Sequence, residues 1–538
     1  MSTKISLPLI FPFSPNHGWA TLSQFGLDNH ERAAYLTTAA LLVLTGSFLW
    51  LLSSYSRPSV RKLPSINPVP WFGSSTEAKK AFLTSSTRLF SKARVLFPNQ
   101  AYRMLTDLGD VLVIPRQLID EIRNESKLSF PAANMEDFHG KIPGFEAMAQ
   151  FGGPLLRAVA RKQLNKYLWK TTEPLSEEGS HAISLNFGES PEGNEIVLKP
   201  PMLDIVARMS SRVFLGKQLC RDPEWLRITK GYTVNLFVSA TKLRVYPRAL
   251  RPLVHWFLPE CRNIRAQYRE AHRVIEPVLA KRREIRQQAK CEGKPAPYFD
   301  DALDWADEEA ERLGVEYNQE AFQLMLSMAA IHTTTDLLVQ VMLDLAQHPE
   351  VIPVVREEIV RVLKAEGWGK TALDRLTTMD SLIKESQRLK PVSMAAMRRI
   401  ATDKITLSNG LVIPKGTRTF VDSYPMRDAS VYENPDKWDA ERFLRMRQQP
   451  GRERSSLLVN TCADHLGFGH GVFACPGRFF AANEMKVALC HILMKYEWSL
   501  AEGTDVSPLV LGAATMANPA AKIKIRKRSD PELDLDAI

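Results

Sequence analysis

The chain has 538 residues, 45% of them hydrophobic and 24% charged, proportions of an ordinary folded protein that exclude disorder, collagen repeats and small disulfide scaffolds. Its six cysteines, Cys220, Cys261, Cys291, Cys462, Cys475 and Cys490, form no CxxC pair, so neither a disulfide framework nor a zinc site is signalled, and reduced, cytosol-facing thiols are expected. The net charge of +10 is largely local, with nine basic against three acidic side chains in residues 261–290, and it indicates no nucleic-acid surface.

Residues 33–55 read AAYLTTAALLVLTGSFLWLLSSY, without a charge. As a helix this run reaches ~35 Å, enough to cross a hydrocarbon core of about 30 Å. A cleaved signal peptide fits poorly, because the run starts late, is long and follows no basic cluster. Glu31 and Arg32 cancel before it, whereas Arg57, Arg61 and Lys62 follow it, so the positive-inside rule puts everything after residue 56 on the cytosolic side. The expectation is a luminal segment 1–32, a single transmembrane anchor 33–55, a proline-rich hinge 56–72 and a globular domain 73–538. Pro58, Pro64, Pro68 and Pro70 stiffen that hinge, since proline fixes φ and resists helix.

Helical periodicity dominates the globular part. Arg262 to Lys290 is a basic, helix-compatible run, followed by an acidic stretch with Asp300, Asp301, Asp304, Asp307, Glu308, Glu309 and Glu311. Both read first as solvated faces, with contact to anionic lipid heads as the alternative. Asn318 to Gln347 is apolar nearly all round, as a buried central helix requires, and His348-Pro349 ends it. A second helix, Val351 to Glu366, stops at Gly367, and a third runs from an Asp380 cap to Pro391. Ile405 to Leu407 and Leu411 to Ile413 flank Ser-Asn-Gly and read as a hairpin. A small sheet inside a mainly helical chain follows.

Residues 468–480 read FGHGVFACPGRFF. The skeleton Phe-x-x-Gly-x-x-x-Cys-x-Gly is met by Phe468, Gly471, Cys475 and Gly477, a match expected by chance on the order of once per several hundred chains. At these residues the sequence resembles the cytochrome P-450 superfamily, the heme-thiolate monooxygenases. The resemblance implies a mainly α cytochrome P-450 fold with a small β-rich subdomain, heme b as cofactor, and Cys475 as the thiolate ligand of its iron. A thiolate pushes electron density toward the opposite face and favours O–O cleavage. Glycines at 471 and 477 would let backbone approach porphyrin and sulfur closely, and Phe468 would shield the sulfur.

The other motifs of the family follow in order. Glu385-Ser-Gln-Arg388 resembles its E-x-x-R pair, placed on one helix face by the i,i+3 spacing, and Arg442 resembles the third member of that structural triad. Ala329 to Thr334 (AAIHTT) resembles the oxygen-binding motif, in which Thr333 would hydrogen-bond oxygen and help deliver protons. His332 stands where an acid is usual. Two readings of it stay open, a proton relay and a helix histidine turned away from the heme. For the heme carboxylates the resemblance implies Arg399 and Arg161. Arg157 replaces the tryptophan expected one turn before Arg161, and Phe473 replaces the usual arginine or histidine two residues before the ligand.

Wording such as KESQRLKPVS and ACPGRFFAANE further resembles fungal membrane-bound members near the ent-kaurene oxidases. That implies an endoplasmic reticulum membrane location and a bulky, hydrophobic terpenoid, indole diterpene or meroterpenoid substrate of secondary metabolism. The expected walls are Met325 to Thr333 with Ala329, Pro391 to Met397 with Met394 and Ala395, Gly512 to Met516 with Ala514 and Thr515, and the loop Ser129 to Met148; these positions fit core packing equally well. The sequence contains no P-loop, flavin or nicotinamide domain, so electrons for O2 are expected from a separate NADPH-cytochrome P-450 reductase, with cytochrome b5 as a second donor and Arg478 and Lys486 as candidates for steering it. Desaturation, ring coupling or isomerisation at the same heme, and a non-catalytic heme sensor or carrier, are the alternatives.

Overall fold

The computed structural model describes residues 58–69 and 75–538 together with positions 37, 38, 40, 41 and 45. The expected luminal segment, most of the expected anchor and residues 70–74 lie outside the described residues. The chain divides into two compact units, Met1–Lys62 and Leu63–Ile538. In the first, Pro58–Arg61 forms one helical turn, with proline at the first position, where its missing N–H is not needed. In the second, the Ile66 N–H donates to Arg103 O at 3.0 Å and the Arg103 N–H to Pro64 O at 2.8 Å. Residues 64–66 of the expected hinge are therefore docked along a strand, and the expected start of the globular part at residue 73 moves back to Leu63.

The strands are β1 (Tyr102–Thr106), β2 (Gly109–Ile114), β3 (Leu128–Ser129), β4 (Asn194–Val197), β5 (Ala395–Ala401), β6 (Ile405–Thr406), β7 (Val412–Ile413), β8 (Arg418–Asp422), β9 (Tyr496–Leu500), β10 (Leu509–Leu511), β11 (Ala514–Met516) and β12 (Lys522–Lys527). They form one mixed sheet in the order β1-β2-β8-β5-β3, and three small antiparallel sheets. The expected hairpin is β6–β7, with Ile405 opposite Ile413. Helices make up the rest.

The central helix is Gln319–Gln347, and its Asn318 cap accepts from the Ala321 N–H. It packs against Lys199–Leu219, Pro223–Arg244, Thr377–Leu389 and Arg478–Lys495, which is why nearly every side of it is apolar. Among the described residues it is the helix long and apolar enough to cross a membrane, but it lies mostly buried in the core. Val351–Glu366 forms as expected. The third expected helix begins at Thr377 rather than at Asp380. Asp380 is buried inside its first turn, where it accepts from the Leu458 N–H at 2.9 Å and meets Lys486 Nζ at 2.7 Å. Its charge serves tertiary bonds rather than a cap.

The basic run is the helix Pro259–Cys291 and the acidic one includes Ala302–Leu313. They are not simply solvated faces. Asp301, Asp304 and Glu309 are buried; Arg282 holds Asp301 and, at 3.0 Å, Asp304, while Arg286 reaches Asp304 at 2.6 Å. Opposite charges leave water only when each finds its partner, and here the two runs partner one another.

Candidate active site

The Cys475 loop is held by its own backbone. The Cys475 N–H donates to Phe468 O at 2.8 Å, the Ala474 N–H to Gly471 O at 3.0 Å, and the Val472 N–H to Arg123 O at 3.2 Å. Gly471 adopts φ +78°, and a Cβ there would sit 2.2 Å from Arg123 O, so only glycine fits. Gly471 thus lets the loop meet the Arg123 backbone; it does not line the cavity, contrary to the expectation that it approaches porphyrin. Gly477 does line it, and a Cβ built there meets nothing within 4 Å.

Burial raises the Cys475 thiol, while the Gly477 backbone N–H and the Arg478 charge act in the opposite sense. The sulfur lies just before the helix Arg478–Lys495, whose N-terminal partial positive charge favours a thiolate. Phe468 and Cys475 share a cavity of about 400 Å³ with Ala329, Ala330, Thr333 and Thr334 of the central helix. The Thr333 hydroxyl donates to Ala329 O at 2.8 Å, which leaves its lone pairs free to accept.

The cavity wall sorts the remaining expectations. Leu326, Ala329, Ala330 and Thr333 line it, the 3, 1, 3 spacing of one helix face; Met325 lies about 100° away in the core. On β5, Ala396 lines the cavity while Ala395 joins the core beneath the mixed sheet, with Met394 packed beside it, because successive strand residues face opposite ways. A bulge between Ala396 and Arg399 then re-aims Met397, Arg398 and Arg399 into the cavity. Thr515 and Met516 line it, but Ala514 does not. Met325, Met394, Ala395 and Ala514 are therefore removed from the expected wall. From the loop 129–148, Phe130 contributes.

His332 also lies outside the cavity wall. Its Nε2 is 3.1 Å from Lys230 O, and burial lowers its basicity. Of the two readings, the geometry fits the helix histidine turned away. One acid that sequence reasoning passed over, Asp336, does line the cavity. Its signal was available: an acid three residues after Thr333 in a helix with only two others, Glu320 and Asp344.

Glu385, Arg388 and Arg442 meet in the core, all nearly inaccessible. Both Glu385 oxygens accept from Arg388, at 2.7 and 2.8 Å, and Oε1 also from Arg442 at 3.0 Å. Arg388 donates further to Met426 O and Pro435 O, both at 2.7 Å, and Arg442 to Lys437 O at 2.9 Å. The three side chains bind residues 426–437, one step removed from the cysteine loop. Lys384 of the same helix reaches closer, donating to Leu457 O and Asn460 O at 2.8 and 3.1 Å. Lys486 is buried against Asp380, and Arg478 is committed to Val459 O and Cys475 O at 2.7 and 2.9 Å, so neither is free to steer a redox partner.

Three observations fit a cysteine-ligated heme with two carboxylates. Gly477 leaves open space beside Cys475, which lines the same cavity. Arg399 is fully buried, burial pulls it down to about 10, and its Nε–H finds no partner among the described residues. The Arg399 and Arg157 guanidiniums lie 5.1 and 5.4 Å from the Phe473 ring centre, with Arg161 donating to Val472 O at 3.2 Å. Among the described residues no acid pairs with any of these three cations; Arg157 and Arg161 flank the cavity without lining it, and Arg399, which is buried and does line it, is the charge that calls for an anion.

Known proteins agree with this geometry. A model of the cytochrome P-450 family matches residues 159–525. The chain is 42% identical to the cytochrome P-450 monooxygenase hepE of Aspergillus oryzae over 96% of its own length and 94% of that protein's. It is 44% identical to cytochrome P-450 monooxygenase 2 of Gibberella fujikuroi, over 88% and 91%. A solved structure, the cyanobacterial CYP120A1 with retinoic acid bound, superposes with a TM-score of 0.64 at 19% identity, covering 87% of this chain and 99% of that one. A shared fold, a cysteine and a helix-borne threonine on one cavity, and identity of this extent have one conclusion: the chain belongs to the cytochrome P-450 family, monooxygenases whose heme iron is bound by a cysteine thiolate.

Proposed function

We propose that this protein is a membrane-anchored monooxygenase of fungal secondary metabolism, which oxidises a bulky terpenoid, indole diterpene or meroterpenoid frame with O2 and electrons from NADPH-cytochrome P-450 reductase, assisted by cytochrome b5. The observation that carries this reading is one cavity bounded by Cys475 and Thr333. When bound there through Cys475, the heme supplies the cleavage of dioxygen and the transfer of one oxygen atom to a C–H bond. Arg399 on the cavity wall would hold its carboxylates, with Arg161 and Arg157 beside it as further candidates. Thr333 positions a proton donor beside the oxygen site, and Leu326, Ala396, Met397 and Met516 give a wall that excludes water and holds an apolar frame.

The uncharged run 33–55 and the basic residues after it support an endoplasmic reticulum anchor with a cytosolic catalytic unit. Val245, Leu253, Trp256 and Phe257 are exposed on that unit and form an apolar surface suited to the bilayer interface. Purified enzyme screened against terpenoid and prenyl-indole panels for a shift in heme absorption identifies the substrate. Turnover under labelled dioxygen then separates oxygenation from desaturation, ring coupling or isomerisation. A product without label overturns the monooxygenase reading of that reaction.

A further inference from the structure

We propose that Asp336, poised by Lys199, is the residue that feeds protons to the Thr333 side of the cavity, a position taken over from the residue preceding the threonine. The proposal rests on the monooxygenase reading above. His332 occupies the preceding position, yet it is bonded to Lys230 O at 3.1 Å and lies outside the cavity wall. Of the three acids on the central helix, Glu320 meets His272 and Asp344 meets Ser386 and Lys390. Asp336 alone of these three lines the cavity, as do Thr333 and Thr334 on the preceding turn.

Asp336 is held from two other elements. Lys199 Nζ, at the start of the helix Lys199–Leu219, forms an ion pair with Oδ1 at 2.6 Å, and the Ala517 backbone after β11 also favours the charged carboxylate. Lys199 is the charged group acting on Asp336 among the described residues; on its own helix, His332 lies one turn away and feels Lys199 too. The Lys199 side chain is 20% exposed and that of Asp336 15%. In this proposal the part-exposed Lys199 is the proton entry and Asp336, on the cavity wall, is the exit. Burial raises the carboxyl, against the lysine charge, which keeps more of it in the proton-donating form.

Oxygen insertion, RH + O2 + 2e⁻ + 2H⁺ → ROH + H2O, consumes two protons with the two electrons delivered by the reductase. In the proposed step the Asp336 carboxyl gives its proton to cavity water or the Thr333 hydroxyl, the Lys199 ammonium returns one to the carboxylate, and solvent reprotonates the lysine. No bond to carbon changes in it. A purely structural pair, joining two helices, would leave proton delivery untouched.

The test needs no substrate. Full-length enzyme with reductase, NADPH and O2 releases either hydrogen peroxide, from two electrons and two protons, or water, from four of each. Asp336→Asn should cut the water-forming rate about a hundredfold, the low end of what a positioned proton donor contributes, and raise the peroxide share. The water share of the parent should fall with rising pH, a dependence lost in D336N. D336E should restore both, K199M should resemble D336N, and H332A should resemble the parent. The stretching frequency of carbon monoxide bound to the reduced heme should shift in D336N and K199M, because a buried charge leaves the cavity wall. If D336N keeps the parent's water share, pH profile and carbon monoxide frequency, the inference is wrong. If D336N fails to take up heme, the same three readouts in D336E and K199M decide. A parent enzyme without a thiolate spectrum overturns the function reading instead.

Discussion

Phe473 sits between two guanidiniums, Arg399 and Arg157, whose charges no described acid balances. An aromatic face attracts such cations by ~0.5 to 2 kcal/mol, so Phe473 arranges at one remove what a charged residue in its place would supply directly. Arg157→Ala should therefore weaken heme retention, by about 1.5 to 3 kcal/mol if a charged hydrogen bond to a carboxylate is lost. In a Phe473→His background the loss should be smaller. Heme transfer to apomyoglobin from both single variants and the double variant gives the coupling; simple additivity would show that Arg157 does not take over from the missing cation. At this scale the sequence was most legible where a short motif carries the family resemblance, as for Cys475, Phe468 and Thr333. It was blind to phase on an all-apolar helix, where Met325 and Leu326 look alike, and to the β5 bulge that sends Ala396 and Met397 inward together.

The helix Thr377–Leu389 shows what a single element holds together. Glu385 balances two buried arginines, and Lys384, pulled down to about 8 by burial, ties residues 457 and 460 ahead of the cysteine loop. Removing one partner of a buried ion pair typically costs about 3 to 5 kcal/mol, because the remaining charge stays unpaired. Glu385→Gln should accordingly lower thermal stability and heme content sharply. An exposed cation such as Arg445, paired with Asp439 and Glu441, should contribute only about 0 to 1 kcal/mol per pair, so R445A is the control; equal melting shifts in the two variants would contradict the account. Start and stop signals indicate this helix in the sequence, but its start lies at Thr377 rather than at Asp380. A buried acid that accepts from a distant N–H and a cap that accepts from its own helix are the same letter in a sequence.

Across the whole molecule, stability carries a pH dependence with a definite sign. Burial pushes Glu484 up to about 8, and the Ser210 hydroxyl donates to it at 2.6 Å. Its stabilising contribution is complete below the unfolded carboxyl value, about 4.3, and is lost as pH rises toward about 8. Glu484→Gln keeps the shape without the charge. Its melting temperature should pull ahead of the parent's as pH rises from 5 to 8, since every tenfold change in the proton-binding equilibrium is worth ~1.4 kcal/mol, and a constant difference would refute the burial argument. For the membrane, deletion of residues 1–56 should release the catalytic unit only partly, the exposed Val245, Leu253, Trp256 and Phe257 retaining the rest. Carbonate extraction and sedimentation check this, and full-length protein in the soluble fraction would contradict the anchor. The fold class was readable from the helical pattern and motifs, whereas the pairing of the basic and acidic runs through Arg282 and Asp301 was not, because each run alone reads as a solvated face.

The central claim is that Cys475, framed by Gly477 and the helix behind it, binds the heme iron as a thiolate. The absorption spectrum of reduced, carbon-monoxide-bound enzyme tests it most directly. The parent chain should show the long-wavelength thiolate band, and Cys475→His, which can still ligate iron through imidazole, should take up heme without that band. A parent lacking the band, or a C475H variant retaining it, would contradict the assignment.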